Sequence, residues 1–279
     1  MTNFQRAGVE PQPGFPENYL TRIGTYISAR LEPFAERFGA LKRIRSRSAI
    51  RGDDRQIPLD ELPKGDFAKV CHILHAAGSL RKDRTLLELG AASGEQTVEM
   101  ATCGAFAHVL AVEPEAGNFK ALRRNVNENG LENVVSCLPC AVGVVDGMTN
   151  FYVGRDDRHR SGMKQQRAHD SKVRTPINTI DTILQDAGVP PDRIGLVWID
   201  IEGYEAIACL SMRRLMARSV PIYAVLSPDL YHRDHGTSLI RYLATYYNRC
   251  VLLTGTKTRM ISISDIPLDL GTVRVLLID

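Results

Sequence analysis

Residues 85–97 read Thr-Leu-Leu-Glu-Leu-Gly-Ala-Ala-Ser-Gly-Glu-Gln-Thr, an apolar run that ends on an acid and opens into a turn of small residues. Leu86, Leu87 and Leu89 suit a strand buried on both faces, and Gly90 and Gly94 let the backbone turn sharply and approach a ligand. Helical spacing follows through Val98, Met100 and Ala101. A strand that feeds a helix through small residues is the first unit of an open α/β sheet, in which ligands bind beyond the carboxyl ends of the strands. The turn after Leu89 is therefore expected to face a ligand.

The spacing from Glu88 to Gly94 is Glu-x-Gly-x-x-x-Gly, unlike the Gly-x-Gly-x-x-Gly of dinucleotide binders. The dinucleotide motif seats a pyrophosphate on a helix N-terminus. An acid at the strand end instead suits a cofactor without phosphate, such as S-adenosylmethionine with its ammonium and sulfonium; an ordinary strand-turn-helix with a terminal carboxylate is the plainer alternative. The next apolar run, His108 to Glu113, again ends on an acid and is stopped by Pro114. A carboxylate at this place, roughly 20 residues past a glycine turn, accepts hydrogen bonds from ribose hydroxyls in adenosine-binding sheets. Phe119, Leu122 and Val126 then follow a helical period that Gly130 ends.

Further along, Leu196 to Glu205 reads Leu-Val-Trp-Ile-Asp-Ile-Glu-Gly-Tyr-Glu, a second apolar strand ending on acids and a glycine. Asp200 and Glu202 alternate across its end, so one can face a cofactor methyl group. The third strand is expected over 133–138, the fifth over 222–226 and the last two over 250–253 and 273–278, with a helix from about 237 to 247. That gives seven core strands, the final pair forming an antiparallel hairpin at the sheet edge. Between the third and fourth, 141–145, 149–153 and 173–177 are β-prone, with Asp146-Gly147 as a turn, and so form a β insertion. The polar stretch 154–172 reads as a long mobile loop. Its Arg155, Arg158, Arg160, Lys164 and Arg167 suit an acidic or sugar-like substrate or, equally, a solvated face.

The chain has 279 residues, a formal charge of +3 and 44% hydrophobic residues, which fits one large globular domain or a domain with an N-terminal appendage and offers no large basic field for nucleic acid. No apolar run is long enough to span a membrane and the N-terminus lacks a signal-peptide core, so a cytoplasmic location is expected. Residues 1–80 are taken as an N-terminal helical extension or cap and 81–279 as the main domain. Leu20, Ile23, Ile27, Leu31, Phe34 and Phe38 mark one or two helices in the extension. Phe67, Val70, Ile73 and Leu74 mark another, packed on the sheet edge. The basic run from Lys42 to Arg51 reads as a solvated face more readily than as a contact for an anionic substrate or membrane. The six cysteines, most of them among apolar neighbours, read as buried free thiols. Cys137 and Cys140 form a C-x-x-C, but at a strand end, where no helix N-terminus stabilises a thiolate.

The chain resembles the FkbM-type S-adenosylmethionine-dependent methyltransferases. The likeness rests on Glu-Leu-Gly-Ala-Ala-Ser-Gly-Glu from Glu88, Val-Glu-Pro from Val112, Asn-Val-Asn-Glu-Asn from Asn125, Cys-Ala-Val-Gly from Cys140, Thr-Ile-Asp-Thr-Ile from Thr179 and Ile-Asp-Ile-Glu-Gly-Tyr-Glu from Ile199. It covers roughly 85–228. It implies a Rossmann-like seven-stranded class I methyltransferase sheet with flanking helices, and O-methylation of a hydroxyl on a small molecule such as a sugar or polyketide. By position, Glu88, Gly90, Ala91 and Gly94 would hold the methionine part of the cofactor, Glu113 the ribose, and Cys140 and Ala141 would lie near the adenine, with Pro114 also at the cofactor site and Asp200 beside the methyl group. One departure stands out: members of the family often carry an acid in the fifth strand just before Ser-Pro, whereas here Val225 and Leu226 precede Ser227 and Pro228.

Methyl transfer is an in-line displacement in which positioning supplies much of the rate and a general base assists a hydroxyl acceptor. Asp200, Glu202 and His232 are the candidate bases, a surface histidine being the plainer reading of the last. Asp200, Glu202 and Asp229 would offer oxygen ligands to magnesium, but the spacing specifies no metal site and none is assigned. Two rival readings remain. A nicotinamide-dependent reductase would need a phosphate-binding glycine turn that this chain lacks, and a non-catalytic cofactor-binding or partner-docking protein on the same fold would fit the missing acid at Val225. Monomer and homo-oligomer are both compatible with the sequence.

Overall fold

A computed structural model describes residues 62–154, 161–163, 168–227, 233–254, 257–267 and 271–279. The expected N-terminal helices over 17–41, the basic run from Lys42 to Arg51, the loop cations from Arg155 to Arg167, Asp229 and His232 lie outside the described residues.

Four apolar runs form the parallel centre of an α/β sheet. They are β1 (Thr85–Leu89), β2 (His108–Val112), β7 (Ile194–Ile199) and β8 (Ile222–Leu226), with β3 (Val135–Leu138) beside β2. Helices cover both faces, so the strands read as continuous apolar runs with no alternation. Every residue of β1 and β7 is buried. On one face lie α1 (Asp66–Ala76), α2 (Glu95–Thr102) and α3 (Ala116–Glu128), which bury Phe67, Ile73, Met100 and Leu122 against Leu86, Trp198 and Tyr223. The other face carries α4 (Ile180–Asp186), α5 (Glu205–Ser211), α6 (Arg213–Met216) and α7 (Arg233–Leu243). Their Ile183, Cys209, Met216 and Leu243 pack on Leu87, Val197 and Ala224. Each fully buried aliphatic side chain contributes about 1.5–3 kcal/mol relative to exposure. Among the described residues no helix is long and apolar enough to cross a membrane.

The main sheet has the order β10-β9-β11-β8-β7-β1-β2-β3, where β9 is Arg249–Thr254, β10 Lys257–Ser262 and β11 Val273–Ile278. This is eight strands where seven were expected. The additional one, β10, pairs with β9 in an antiparallel hairpin and forms the edge. Its sequence, Lys-Thr-Arg-Met-Ile-Ser, is mostly polar because one side of an edge strand meets solvent, so it does not read as a core strand. The last two expected strands do pair antiparallel, as β11 with β9, but β11 sits inside the sheet between β8 and β9.

The insertion after β3 is a separate sheet of β4 (Ala141–Val142), β5 (Gly147–Val153) and β6 (Ser171–Asn178) in the order β4-β6-β5. Its apolar side is Phe151 and Ile177, both buried. Two local corrections follow from packing. Helix α7 begins at Arg233, four residues before the apolar period that marked it. Helix α1 lies on the face of the sheet and not at its edge: Phe67 meets Trp198 edge-on at 5.8 Å, and Trp198 stacks on Tyr223 at 3.7 Å.

Candidate functional site

The chain leaves β1 through a turn wedged between its two neighbours. The Gly90 and Ala91 N–H groups donate to the Val112 carbonyl at 3.0 and 3.1 Å, and the Asp200 N–H donates to the Leu89 carbonyl at 3.1 Å. Gly90 has φ 90°, and a Cβ there would stand 2.1 Å from the Asp200 carbonyl oxygen. Gly94, at φ 89°, opens α2 where a Cβ would meet Leu122 Cδ1 at 2.6 Å. Between them Ala92 holds φ 47°, a left-handed conformation costly for a residue with a Cβ. The Asn125 amide fastens the turn to α3 by donating to the Ser93 carbonyl at 2.7 Å.

Glu113, just past β2, is buried, and both of its carboxylate oxygens are engaged by backbone. Ala92 N–H donates to Oε2 and Glu115 N–H to Oε1, each at 2.8 Å. Burial pushes this carboxyl above the usual range while the two N–H donors hold it down. The Asn118 side chain adds a third hydrogen bond, and since a carboxylate has about four acceptor positions, Glu113 is fixed in place and can still accept from a ligand. Glu115 in turn caps α3 by accepting from the Asn118 N–H at 2.6 Å.

Glu88 lies beneath the turn and does not border the cleft. It is 1% exposed and accepts a 2.7 Å bond from the Thr97 hydroxyl. Burial raises its carboxyl to about 7, with Glu113 and Asp200 adding repulsion and Thr97 opposing the rise. Beyond β7 the chain turns through Glu202 at φ 43° and Gly203 at φ 88°. Asp200 is exposed at the strand end, yet crowding by protein still pushes its carboxyl up, with Glu202 adding repulsion and Arg274 offsetting it. Glu205, fully buried, accepts from the Gly203 N–H at 2.8 Å through Oε1, while Oε2 has no partner among the described residues. Its carboxyl rises to about 7, chiefly by burial.

These elements enclose a cleft of about 90 Å³ at the carboxyl ends of β1, β2 and β7. Of the residues expected at a ligand site, Gly90, Glu113, Pro114, Cys140, Ala141, Asp200 and Glu202 border it together. Ala91 is packed behind the turn, and Gly94 sits under it against Leu122. The sequence reading missed Ala92, Asn118, Phe151 and Tyr204, which also line the cleft. Ala92 carried a signal as part of the small-residue turn, and Tyr204 as part of the run that follows Ile199. Three carboxylates at one opening, Glu113, Asp200 and Glu202, favour a ligand with positive charge. A larger groove, about 510 Å³, with Arg81, Arg84 and Arg218 in its wall, lies at the opposite, amino end of the parallel strands. The smaller cleft is the better candidate, because it joins strained backbone, paired carboxylates and the strand ends where such sheets bind ligands.

The expected C-x-x-C thiols, Cys137 and Cys140, are both free. Of the six cysteines only Cys140, Cys209 and Cys250 are buried; Cys71 and Cys137 are half-buried and Cys103 is exposed at the end of α2. No group of three or more His, Cys, Asp or Glu side chains that could hold a metal ion occurs among the described residues.

Compared with known proteins, residues 88–235 match the family model of the methyltransferase FkbM domain. A search of curated proteins finds no match. Among solved structures, the methyltransferase FkbM from Methylobacillus flagellatus KT aligns at 17% identity with a TM-score of 0.46, covering 78% of this chain and 56% of that one. The chain thus spans little more than half the length of that protein. The C-terminal domain of precorrin-6Y C5,15-methyltransferase from Rhodobacter capsulatus aligns at 14% identity and TM-score 0.39, covering 80% of this chain and 94% of that one. P. horikoshii TYW2 in complex with MeSAdo aligns at 14% identity and TM-score 0.36, over 71% of this chain and 56% of that one.

Proposed function

The chain belongs to the FkbM methyltransferase family, and from that premise we propose that it transfers a methyl group from S-adenosylmethionine to a hydroxyl of a small molecule such as a sugar or polyketide. The observation that carries the cofactor reading is the Glu113 carboxylate, held by two backbone N–H groups at the tip of β2 and bordering the cleft. It suits the paired hydroxyls of a ribose. The fit continues around the cleft. Gly90 lets the turn close against the Asp200 backbone so that it borders the cleft, Cys140 and Ala141 offer an apolar wall for an adenine, and the acidic opening suits an ammonium and a sulfonium. Glu88 and Gly94 act from beneath, fixing the turn that would hold the methionine part, with Ala91 packed between.

When bound, the cofactor supplies an electrophilic methyl group on a sulfonium. The chain's part is to orient the acceptor and take its proton. Asp200 is the preferred base, since it borders the cleft and its raised pKa makes its carboxylate a stronger proton acceptor than an ordinary one. Glu202, two residues on, adds the repulsion that helps raise Asp200, and His232 remains a candidate from the sequence alone.

Calorimetric titration with S-adenosylhomocysteine, with NADH in parallel, tests the cofactor. Binding of the first, weakened at least tenfold by Glu113→Ala, is expected, from the loss of a charge-assisted hydrogen-bond acceptor worth about 1.5–3 kcal/mol. Failure to bind S-adenosylhomocysteine would sink the methyltransferase reading, and heat from NADH alone would point to a nucleotide redox cofactor.

A further inference from the structure

The strand register sets three residues in one row at the ligand end of the sheet. Ile199 pairs with Ala224 across β7 and β8, so the next step along both chains brings Asp200 level with Val225. Val225 pairs with Arg274 across β8 and β11. Partners in a ladder project on the same face, and adjacent strands are about 4.8 Å apart, so the main chains at Arg274 and Asp200 are about 10 Å apart with Val225 between them. Because β11 runs antiparallel, Arg274, its second residue, lies toward the carboxyl ends of β7 and β8, the same end of the sheet as the cleft and not the far one.

The arginine is oriented from behind. Its Nε is 3.1 Å from Asp66 Oδ2, and the same carboxylate accepts a 2.9 Å bond from the Tyr223 hydroxyl and has Lys69 Nζ at 3.7 Å. This fixes the guanidinium through one nitrogen, and the side chain is still 48% exposed. Its charge reaches Asp200, where it partly offsets the raised pKa. Val225 between them is apolar and half-buried, a floor that carries no charge of its own.

We propose that Arg274 is a substrate-recognition residue and that the methyl acceptor carries a singly charged carboxylate about 10 Å, roughly the span of one sugar ring and its substituents, from the hydroxyl that is methylated. This rests on the methyltransferase reading above. A guanidinium held by one edge presents the rest of its fork to a carboxylate, which it can bind with two hydrogen bonds. A singly charged group is favoured over a dianionic phosphate, because Arg274 already shares its charge with Asp66, and Asp200 and Glu202 repel further negative charge. The uncharged position at 225 then has a use: an acid there would compete for Arg274.

The experiment uses the full chain saturated with S-adenosylhomocysteine and titrates matched acceptor pairs by calorimetry: methyl glucuronide against methyl glucoside, methyl galacturonide against methyl galactoside, and glucose 6-phosphate as the dianion. Binding of at least one uronide about tenfold tighter than its neutral partner is expected. Arg274→Gln should abolish that preference, Arg274→Lys should keep part of it, and both should leave the S-adenosylhomocysteine affinity within about twofold. Thermal unfolding of each variant checks that α1 stays docked. Normal cofactor-product binding with no acid-over-neutral preference in any pair, or a preference that survives Arg274→Gln, overturns the proposal, as does stronger binding of the phosphate than of both uronides. Absent S-adenosylhomocysteine binding is seen before any acceptor is added and removes the parent reading itself.

Discussion

The carbonyl oxygen of Asp200 stands 2.1 Å from where a Cβ on Gly90 would be, so the turn after β1 and the chain leaving β7 are built as one unit. The 3.1 Å bond from the Asp200 N–H to the Leu89 carbonyl locks the same contact. Gly90→Ala adds a methyl group that must displace backbone, and does so at φ 90°, where L side chains are strained. A loss of about 3 kcal/mol or more is expected, from overpacking and strain together, with at least tenfold weaker S-adenosylhomocysteine binding. Thermal unfolding and titration read the two effects; a variant with wild-type stability and affinity would show that the two segments are free to separate.

Glu88 and Thr97 make a smaller unit under the same turn. Thr97→Val keeps the shape but removes the hydroxyl that donates to Glu88 at 2.7 Å, leaving a buried carboxyl without that partner. A cost of about 1–3 kcal/mol is expected, with Thr97→Ser close to wild type. Chemical denaturation of the three proteins at one pH decides it, and equal loss in Ser and Val variants would assign the effect to packing.

What the sequence disclosed follows from burial. Residues 85–89, 194–199 and 222–226 are covered by helices on both faces, so their apolar runs were unmistakable, and the acids just past 108–112 and 194–199, Glu113 and Asp200, could only lie at the ligand end of the sheet. The β insertion was legible through Asp146-Gly147, whose Gly147 opens β5. Strand β10 was not, because an edge strand with one neighbour needs no apolar face. Nor was the role of Glu205: an acid in the first turn of a helix ordinarily reads as a solvated residue that complements the dipole. Here α5 turns it inward. Arg274 gave no sign either, since its meaning depends on β11 inserting antiparallel beside β8, a pairing that no local pattern encodes.

If Asp200 takes the acceptor proton, Asp200→Asn should lower kcat by about 10²–10⁴-fold while S-adenosylhomocysteine still binds. The wild-type pH profile should show a limb on which kcat rises with pH as this carboxyl ionises, set above the usual carboxylate range because crowding by the surrounding protein and Glu202 raise its pKa. That limb should vanish in the variant. Retention of both rate and limb would move the role to Glu202 or His232.

Glu205 gives the clearest prediction for stability. Its carboxyl has an ordinary pKa of 4.5 that burial raises to about 7 in the folded protein. The folded state therefore holds the proton more tightly than the unfolded chain between these values. Its contribution is fully present below about pH 4.5 and is lost as pH rises through about 7. Glu205→Gln keeps a carbonyl oxygen to accept from Gly203 N–H but does not titrate. The variant should gain on wild type by about 2 kcal/mol between pH 5 and pH 8, a difference that isolates this group from the other carboxylates. Denaturant unfolding of both proteins across that range measures it. Parallel curves would mean that Glu205 folds with the same proton affinity it has in the open chain, and that water reaches Oε2 after all.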